Sequence, residues 1–307
     1  MGSTDRRSPV WQAIDHADET SQFVIKAPST QDDSTKDWPL FRHEHNVQKL
    51  FAESPLIRPM LDFVPETEQY PPAMVLRAFE ETLWTARTRR AFTSKEIKWI
   101  MKAVILAVWT IHRKGLVYSD LKTENVLISG FRDEHPGPIR EIIVRLADCG
   151  ATIPPSDRRI TSITYRSPEV YYRKPWTSST DIWSWGIVLF HLLEAQADIE
   201  APGLYYSICT GSLEDKAAAV RAGIEYDFDL AFNPYFAADG RSESCVTKVA
   251  EAQAHSRDEE REVWYDRLIK KGVAAEDVQF LLDILNPDPR KRWTAADIVR
   301  CGYLEID

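Results

Sequence analysis

The chain is predicted to be an α+β protein in two lobes: a small β-rich one over residues 1–78 and a larger helical one over 79–307. Three observations lead there. Short runs of β-forming residues crowd the first 80 positions around one helical stretch. From about residue 93 the apolar residues recur at helical spacing instead. Further on, "DIWSWGIVLFHLLEA" is apolar nearly all round, as befits a helix through the middle of a domain.

Each element follows in order. "VWQAID" and "FVIKAP" flank the polar turn "HADETS", which fits a hairpin. "FRHEHNVQKLFA" sets Phe41, Val47, Leu50 and Phe51 on one helical face, and "AMVLRAF" is another strand. "TSKEIKWIMKAVILAVWTIHRKG" opens on a Thr/Ser cap with an early Glu and stops at Gly115, predicting a long buried helix. "VLIS" and "EIIVRLA" are β-like runs. Residues 198–262 are expected to form a loop-rich insertion, ending in the solvated "AHSRDEEREVW". The tail "VQFLLDILNPDPRKRWTAADIVR" predicts two short helices around a Pro-containing turn. There is no internal repeat at 20–50 residues.

Composition narrows the function classes. A net charge of −9 argues against a broad surface for nucleic acid or anionic membrane. Cys149, Cys209, Cys245 and Cys301 are scattered without a CxxC pair, so neither a zinc site nor a disulfide scaffold is indicated. No apolar stretch reaches 18 residues and no signal-peptide pattern is present, so the expected location is intracellular, cytoplasmic or nuclear. The start "MGSTDR" has Arg6 where a myristoylation signal wants Ser or Thr.

In "GLVYSDLKTENVLIS", Asp120, Lys122 and Asn125 stand at spacings of two and three, just before a strand. An acid, a base and an amide this close suit phosphoryl transfer. That reaction asks a protein to place a nucleophile, hold metal ions and neutralise phosphate charge. Asp120 supplies the carboxylate for the attacking hydroxyl and Asn125 an amide for a metal ion. Asp148, in "RLADCG", adds a second carboxylate, with Gly150 allowing a tight turn. Lys26 ends a strand in the first lobe, and Glu44 lies 18 residues on, where it could pair with Lys26. Taken singly, Lys26 reads as a solvated strand end, Glu44 as a surface charge and Asp148 as a turn residue. Their joint order is what lifts them out of the background.

That order resembles the eukaryotic protein kinases. "FVIK" looks like the strand with the ATP lysine and "YSDLKTEN" like the catalytic loop. "DCG" is similar to the magnesium-binding Asp motif, and "YRSPE" (165–169) to the end of the activation segment. "DIWSWG" resembles the start of the large lobe's central helix, and "DPRKRWTAADIV" the closing motif, with Arg292 placed to pair with Glu169. The likeness spans about residues 10–304, and its wording resembles divergent fungal kinase-like proteins. It implies a single kinase domain over 1–307 that binds ATP and Mg²⁺ between the lobes. Asp120 would accept a proton from a Ser or Thr hydroxyl of a protein substrate, and Lys122 would stabilise the transferring group. Asn125 and Asp148 would hold magnesium. Lys26, paired by Glu44, would grip the phosphates, with Leu76 as gatekeeper and Arg77 to Phe79 as the adenine hinge. Lys122 and Ser162 match the Ser/Thr class.

The pattern also departs from the family. Tyr118-Ser119 replaces the usual His-Arg, so the activation segment loses the arginine that would meet a phosphate on it. Cys149 replaces the usual Phe. No glycine occurs between Gly2 and Gly115, so the Gly-rich loop over the phosphates is missing. Either the chain is shortened at its start, or nucleotide is held without that lid. Two rivals follow: a pseudokinase scaffold, and a small-molecule kinase of the antibiotic-phosphotransferase type. "YRSPE" and "DIWSWG" argue against the second. The insertion at 198–262 is a candidate surface for a protein partner.

Overall fold

The computed structural model describes residues 10–18, 20–29, 37–237 and 262–306. The stretch where the Gly-rich loop was sought before Val10 lies outside them, as does most of "AHSRDEEREVW".

β1 (Val10–Ile14) and β2 (Gln22–Lys26) form the expected hairpin, with Val10 opposite Lys26 and Ile14 opposite Gln22. The Asp18 carboxylate braces its turn by accepting from Thr20 and Ser21. α1 (Pro39–Leu50) follows, with Pro39 in the first turn, where a missing N–H costs nothing. β3 (Met60–Val64), which sequence pattern did not single out, pairs with β4 (Ala73–Arg77), giving an antiparallel sheet in the order β1-β2-β4-β3. Trp38 and Phe41 meet Met74 and Leu76 in a small core between helix and sheet.

β5 (Glu81–Thr82) already belongs to a second sheet, β5-β6-β7, with β6 (Val126–Ser129) and β7 (Ile143–Leu146). α2 (Leu83–Arg87) leads to α3 (Ser94–His112), whose capping box closes between Thr93 and Glu96. After α4 (Pro168–Tyr171) comes α5 (Ser179–Ala197), buried on every side from Thr180 to Ala195. α3 and α5 form the centre of the main core with Val104, Val108, Trp183 and Trp185, all 1% exposed or less. Each large apolar side chain buried there contributes about 1.5–3 kcal/mol. Gly186 lets α5 approach its neighbour, since a Cβ there would sit 2.7 Å from Leu285.

The segment expected to be loop-rich differs from that expectation. It contains α6 (Leu213–Asp227) and the short α7 (Pro234–Ala237). α6 starts in a capping box between Ser212 and Asp215 and continues through alanines, strong helix formers. Val220 and Ile224, four apart, bury its inner face. Its charge and weak apolar stripe hid that helix in the sequence. The chain closes with α8 (Trp264–Lys270), α9 (Ala275–Ile284) and α10 (Ala295–Arg300), the last two being the expected pair. No described helix is long and apolar enough to cross a membrane.

Candidate active site

Two polar clusters meet where the sheets face each other. The first joins three elements. Lys26, the last residue of β2, donates from Nζ to Glu44 Oε1 at 2.7 Å and to Asp148 Oδ1 at 3.0 Å. Glu44 comes from the buried face of α1, and Asp148 from the turn after β7. Gly150 makes that approach possible, because a Cβ on it would lie 3.0 Å from Glu44 Oε2. His43 donates to the Thr152 carbonyl at 2.8 Å and pins α1 to the same turn.

Burial and charge compete in this cluster. Burial alone would lower the Lys26 ammonium, but Glu44 and Asp148 outweigh it and hold it above its ordinary value. Burial raises Glu44, with Lys26 pulling the other way. For Asp148 burial is overcome by Lys26, which keeps the carboxyl below its usual range. Asp148 is therefore an anion at neutral pH. Its side chain is 49% exposed, whereas Glu44's is 7% exposed, so Asp148 is the carboxylate open to the cleft. Beside it, the Cys149 thiol is pushed up by burial and then by Glu44 and Asp148. It packs in the main core as a small apolar group and is no nucleophile.

The second cluster is built on the loop before β6. Asp120 Oδ2 accepts from Lys122 Nζ at 2.6 Å and from Asn125 Nδ2 at 3.1 Å. Its Oδ1 accepts from the Ser162 hydroxyl at 3.0 Å and the Ser162 N–H at 3.3 Å. Asn125 also donates to the Asp120 carbonyl, and its own carbonyl accepts from Ala147 N at 2.9 Å, one residue before Asp148. Asp120, Lys122 and Asn125 are thus gathered with Ser162, and a backbone bond ties them to the first cluster.

The loop's unusual entrance is fully used. The Tyr118 hydroxyl donates to the Ala147 carbonyl, and its phenol is pushed well up by burial. Asp181, in the first turn of α5, accepts from the N–H groups of Tyr118 and Ser119 at 2.8 Å each and pairs with His112. The Ser119 hydroxyl donates to Ala151 O at 2.6 Å, and Thr161 donates back to Ser119 O at 2.9 Å. Ser119, Asp148 and Thr161 all sit at positive φ, at 65°, 52° and 67°. For residues with a Cβ this costs roughly 1–2 kcal/mol each, and such strain clusters where function fixes a geometry.

The other expected residues lie along β4 and beyond. Leu76 is 3% exposed and stands opposite Val24, on the same sheet face as Lys26. Arg77 points to the other face by strand alternation, so only its backbone can serve the cleft. With Phe79 it lines an outer groove of about 560 Å³ that includes Leu61 and Arg145. Sequence reasoning missed Arg58. Its Nε donates to the Arg77 carbonyl at 2.8 Å, and its charge acts on Asp148 and Glu44. Burial pushes its guanidinium down to about 10. Only the chain's path could reveal it: Ile57 bridges to Leu146 and Arg58 N donates to Leu146 O, hooking this loop onto β7.

The family profile described as "Protein kinase domain" matches residues 7–304. Curated relatives share parts of the same stretch. The chain is 29% identical over 184 residues to a probable myosin light chain kinase of Dictyostelium discoideum, covering 58% of this chain and 45% of that protein. Over 118 residues it is 29% identical to a serine/threonine-protein kinase homolog of Danio rerio, covering 37% of this chain and 27% of that one. Over 179 residues it is 26% identical to a DNA damage response protein kinase of Saccharomyces cerevisiae, covering 52% and 35%. The chain therefore matches less than half the length of each of these relatives.

Proposed function

The chain belongs to the protein kinase domain family, and on that premise we propose that it transfers the terminal phosphoryl group of ATP to Ser or Thr hydroxyls of protein substrates. The observation that carries this reading is the Asp120 carboxylate, held by Lys122, Asn125 and Ser162 beside the Lys26–Asp148 pair. A substrate hydroxyl beside Asp120 would lose its proton to that carboxylate as the oxygen attacks phosphorus. Lys122, already 2.6 Å from Asp120, supplies positive charge for the transferring group. Lys26 would bind nucleotide phosphates, with Glu44 fixing the reach of its side chain.

The residues fit a magnesium ion. Asp148 offers an exposed carboxylate whose Oδ1 alone is taken by Lys26. Asn125 turns its amide nitrogen to Asp120, leaving the amide oxygen for a cation. Among the described residues no three His, Cys, Asp or Glu cluster as a full cage. A pair of protein ligands completed by phosphate oxygens is how magnesium is ordinarily held. The ion would neutralise phosphate charge as the bond to the leaving oxygen breaks. Thermal shift with MgATP tests this. The parent protein should gain stability with ATP only when magnesium is present, and Asp148→Ala should lose that gain. An unchanged shift in the variant makes Asp148 a turn residue only.

A scaffold reading is favoured by one observation. The Arg77 carbonyl accepts from Arg58, Arg77 N donates to Pro59 O and Ala78 N to Gln22 O, so these hinge groups are already occupied within the chain.

A further inference from the structure

A second cavity, of about 350 Å³, opens between α6 and the segment running from Asp148 to Glu169. Arg159, Arg166, Val170, Tyr171, Arg221 and Glu225 line it. Of its three arginines, Arg221 is committed: its Nε lies 2.9 Å from Glu225 Oε1 in an ion pair, and its guanidinium stacks 4.4 Å from the Tyr172 ring. Arg166 and Arg159 are different. Arg166 is buried, stacked 5.1 Å from the Tyr171 ring, and donates to the carbonyls of Ile160 and Thr161 at 2.9 Å each. No carboxylate pairs with it among the described residues. Arg159 is exposed and makes no hydrogen bond or ion pair among them. Burial pushes the Arg166 guanidinium down, Tyr171 works against that, and the charge of Arg159 adds to it. Two like charges thus face a cavity whose buried carboxylate, Glu225, is already taken by Arg221 and Tyr172, on a chain whose net charge is −9. Glu214, the other lining carboxylate, is exposed, where solvent and salt screen it.

The cavity is also in the right place. Arg166 grips Thr161, and the next residue, Ser162, is bonded to Asp120. An extended peptide advances about 3.3–3.6 Å per residue, so a peptide whose hydroxyl meets Asp120 reaches the cavity within about three residues. We infer that this cavity is the subsite for an anionic side chain of the protein substrate: an Asp, a Glu or a phosphorylated residue within about three positions of the acceptor hydroxyl. The N–H donors that Arg166 keeps beyond those given to Ile160 and Thr161, with the free guanidinium of Arg159, offer a carboxylate or phosphate charge-assisted bonds on a partly desolvated floor. The inference rests on phosphoryl transfer at Asp120.

Peptides identical but for Ala, Asp, Glu or phosphoserine at each position flanking one Ser test it. For the parent protein, kcat/KM should favour an acidic residue over Ala by about tenfold or more at one of those positions. The Asp, Glu and phosphoserine arms distinguish a carboxylate from a prior phosphate. In Arg159→Glu the ratio should fall to about one, and a Lys peptide should become the better substrate. Arg166→Met should lower the ratio too, with its melting curve showing whether it folds. Equal rates on Ala and acidic peptides in the parent, or an undiminished ratio in Arg159→Glu, overturn the subsite and leave phosphoryl transfer standing. If no peptide is phosphorylated, it is the transfer reading that fails. Fluorescence anisotropy with a labelled acidic peptide then decides the subsite: binding lost in Arg159→Glu supports it, and binding equal in both proteins ends it.

Discussion

The Arg58 guanidinium commits a donor to the Arg77 carbonyl, so a purine amine arriving at that carbonyl competes with it for the oxygen's lone pairs. A hydrogen bond from a charged donor is worth roughly 1.5–3 kcal/mol. Arg58→Met removes the competitor while keeping an apolar stem of similar length. It should tighten MgATP binding by about tenfold, read by calorimetry; unchanged or weaker binding would show that Arg58 does not compete for the hinge. His191 gives a second test at this scale. Burial, then Arg87, push its imidazole down to about 3 from 6.5. Above pH 6.5 both folded and unfolded forms are neutral there, so no stability is lost. Between pH 6.5 and 3 the unfolded chain takes up a proton that the folded one refuses, so stability falls as pH falls. At pH 4.5 the deficit from this residue is about 2–3 kcal/mol. Denaturant titrations at pH 7 and 4.5 should show that loss, and His191→Gln should shrink it. An acid limb as steep in His191→Gln as in the parent would place the effect elsewhere.

Between the ion pairs at its two ends, Lys26–Asp148 and Arg292–Glu169, the segment from Asp148 to Glu169 is tied to the rest of the molecule by backbone, hydroxyl and indole bonds. Val117 and Ile153 exchange N–H to carbonyl bonds at 2.9 and 3.0 Å, Ser119 and Thr161 clasp it to the loop before β6, and Trp176 Nε1 donates to Arg158 O at 2.7 Å. An added phosphate on Ser156, Thr161, Ser162 or Thr164 finds Ser119 and no arginine on the loop before β6, while Arg158, Arg159 and Arg166 lie on the segment itself and cannot anchor it to that loop. Phosphatase-treated and untreated protein should therefore transfer phosphate at equal rates; a large loss on treatment, traced to one of those hydroxyls, refutes this. At the same scale the sequence was legible where pattern and local chemistry agree. The Thr93 capping box, the largely apolar α5 and the β1–β2 turn each announced themselves within a short stretch of sequence. Asp120, Lys122 and Asn125 were readable for the same reason, being neighbours in one loop. β3 and α6 were not, because β3 takes its place from pairing with β4, and α6 carries only a weak apolar stripe. Arg58 and Arg159 stayed hidden because their partners, or the lack of them, depend on segments distant in sequence.

Across the whole molecule one ion pair fastens the end of that segment to the closing turn. Arg292 donates to Glu169 at 2.8 and 3.1 Å, both side chains are fully buried, and Arg292 also serves the carbonyls of Asn286, Pro287 and Ser179. Removing one partner of such a pair strands a buried charge, at about 3–5 kcal/mol. Arg292→Ala should lower the melting temperature by on the order of 5–10 °C; a change of a degree or less would mean the surroundings relax to solvate Glu169. We propose that the two polar clusters between the lobes transfer phosphate. The direct measurement is labelled phosphate transfer from ATP to a generic protein substrate in the presence of magnesium, for the parent protein and Asp120→Asn. The parent should transfer phosphate and the variant should do so about 10²–10⁴-fold more slowly, with MgATP binding little changed. Equal transfer by both proteins, or none by a parent that binds MgATP, would contradict the proposal.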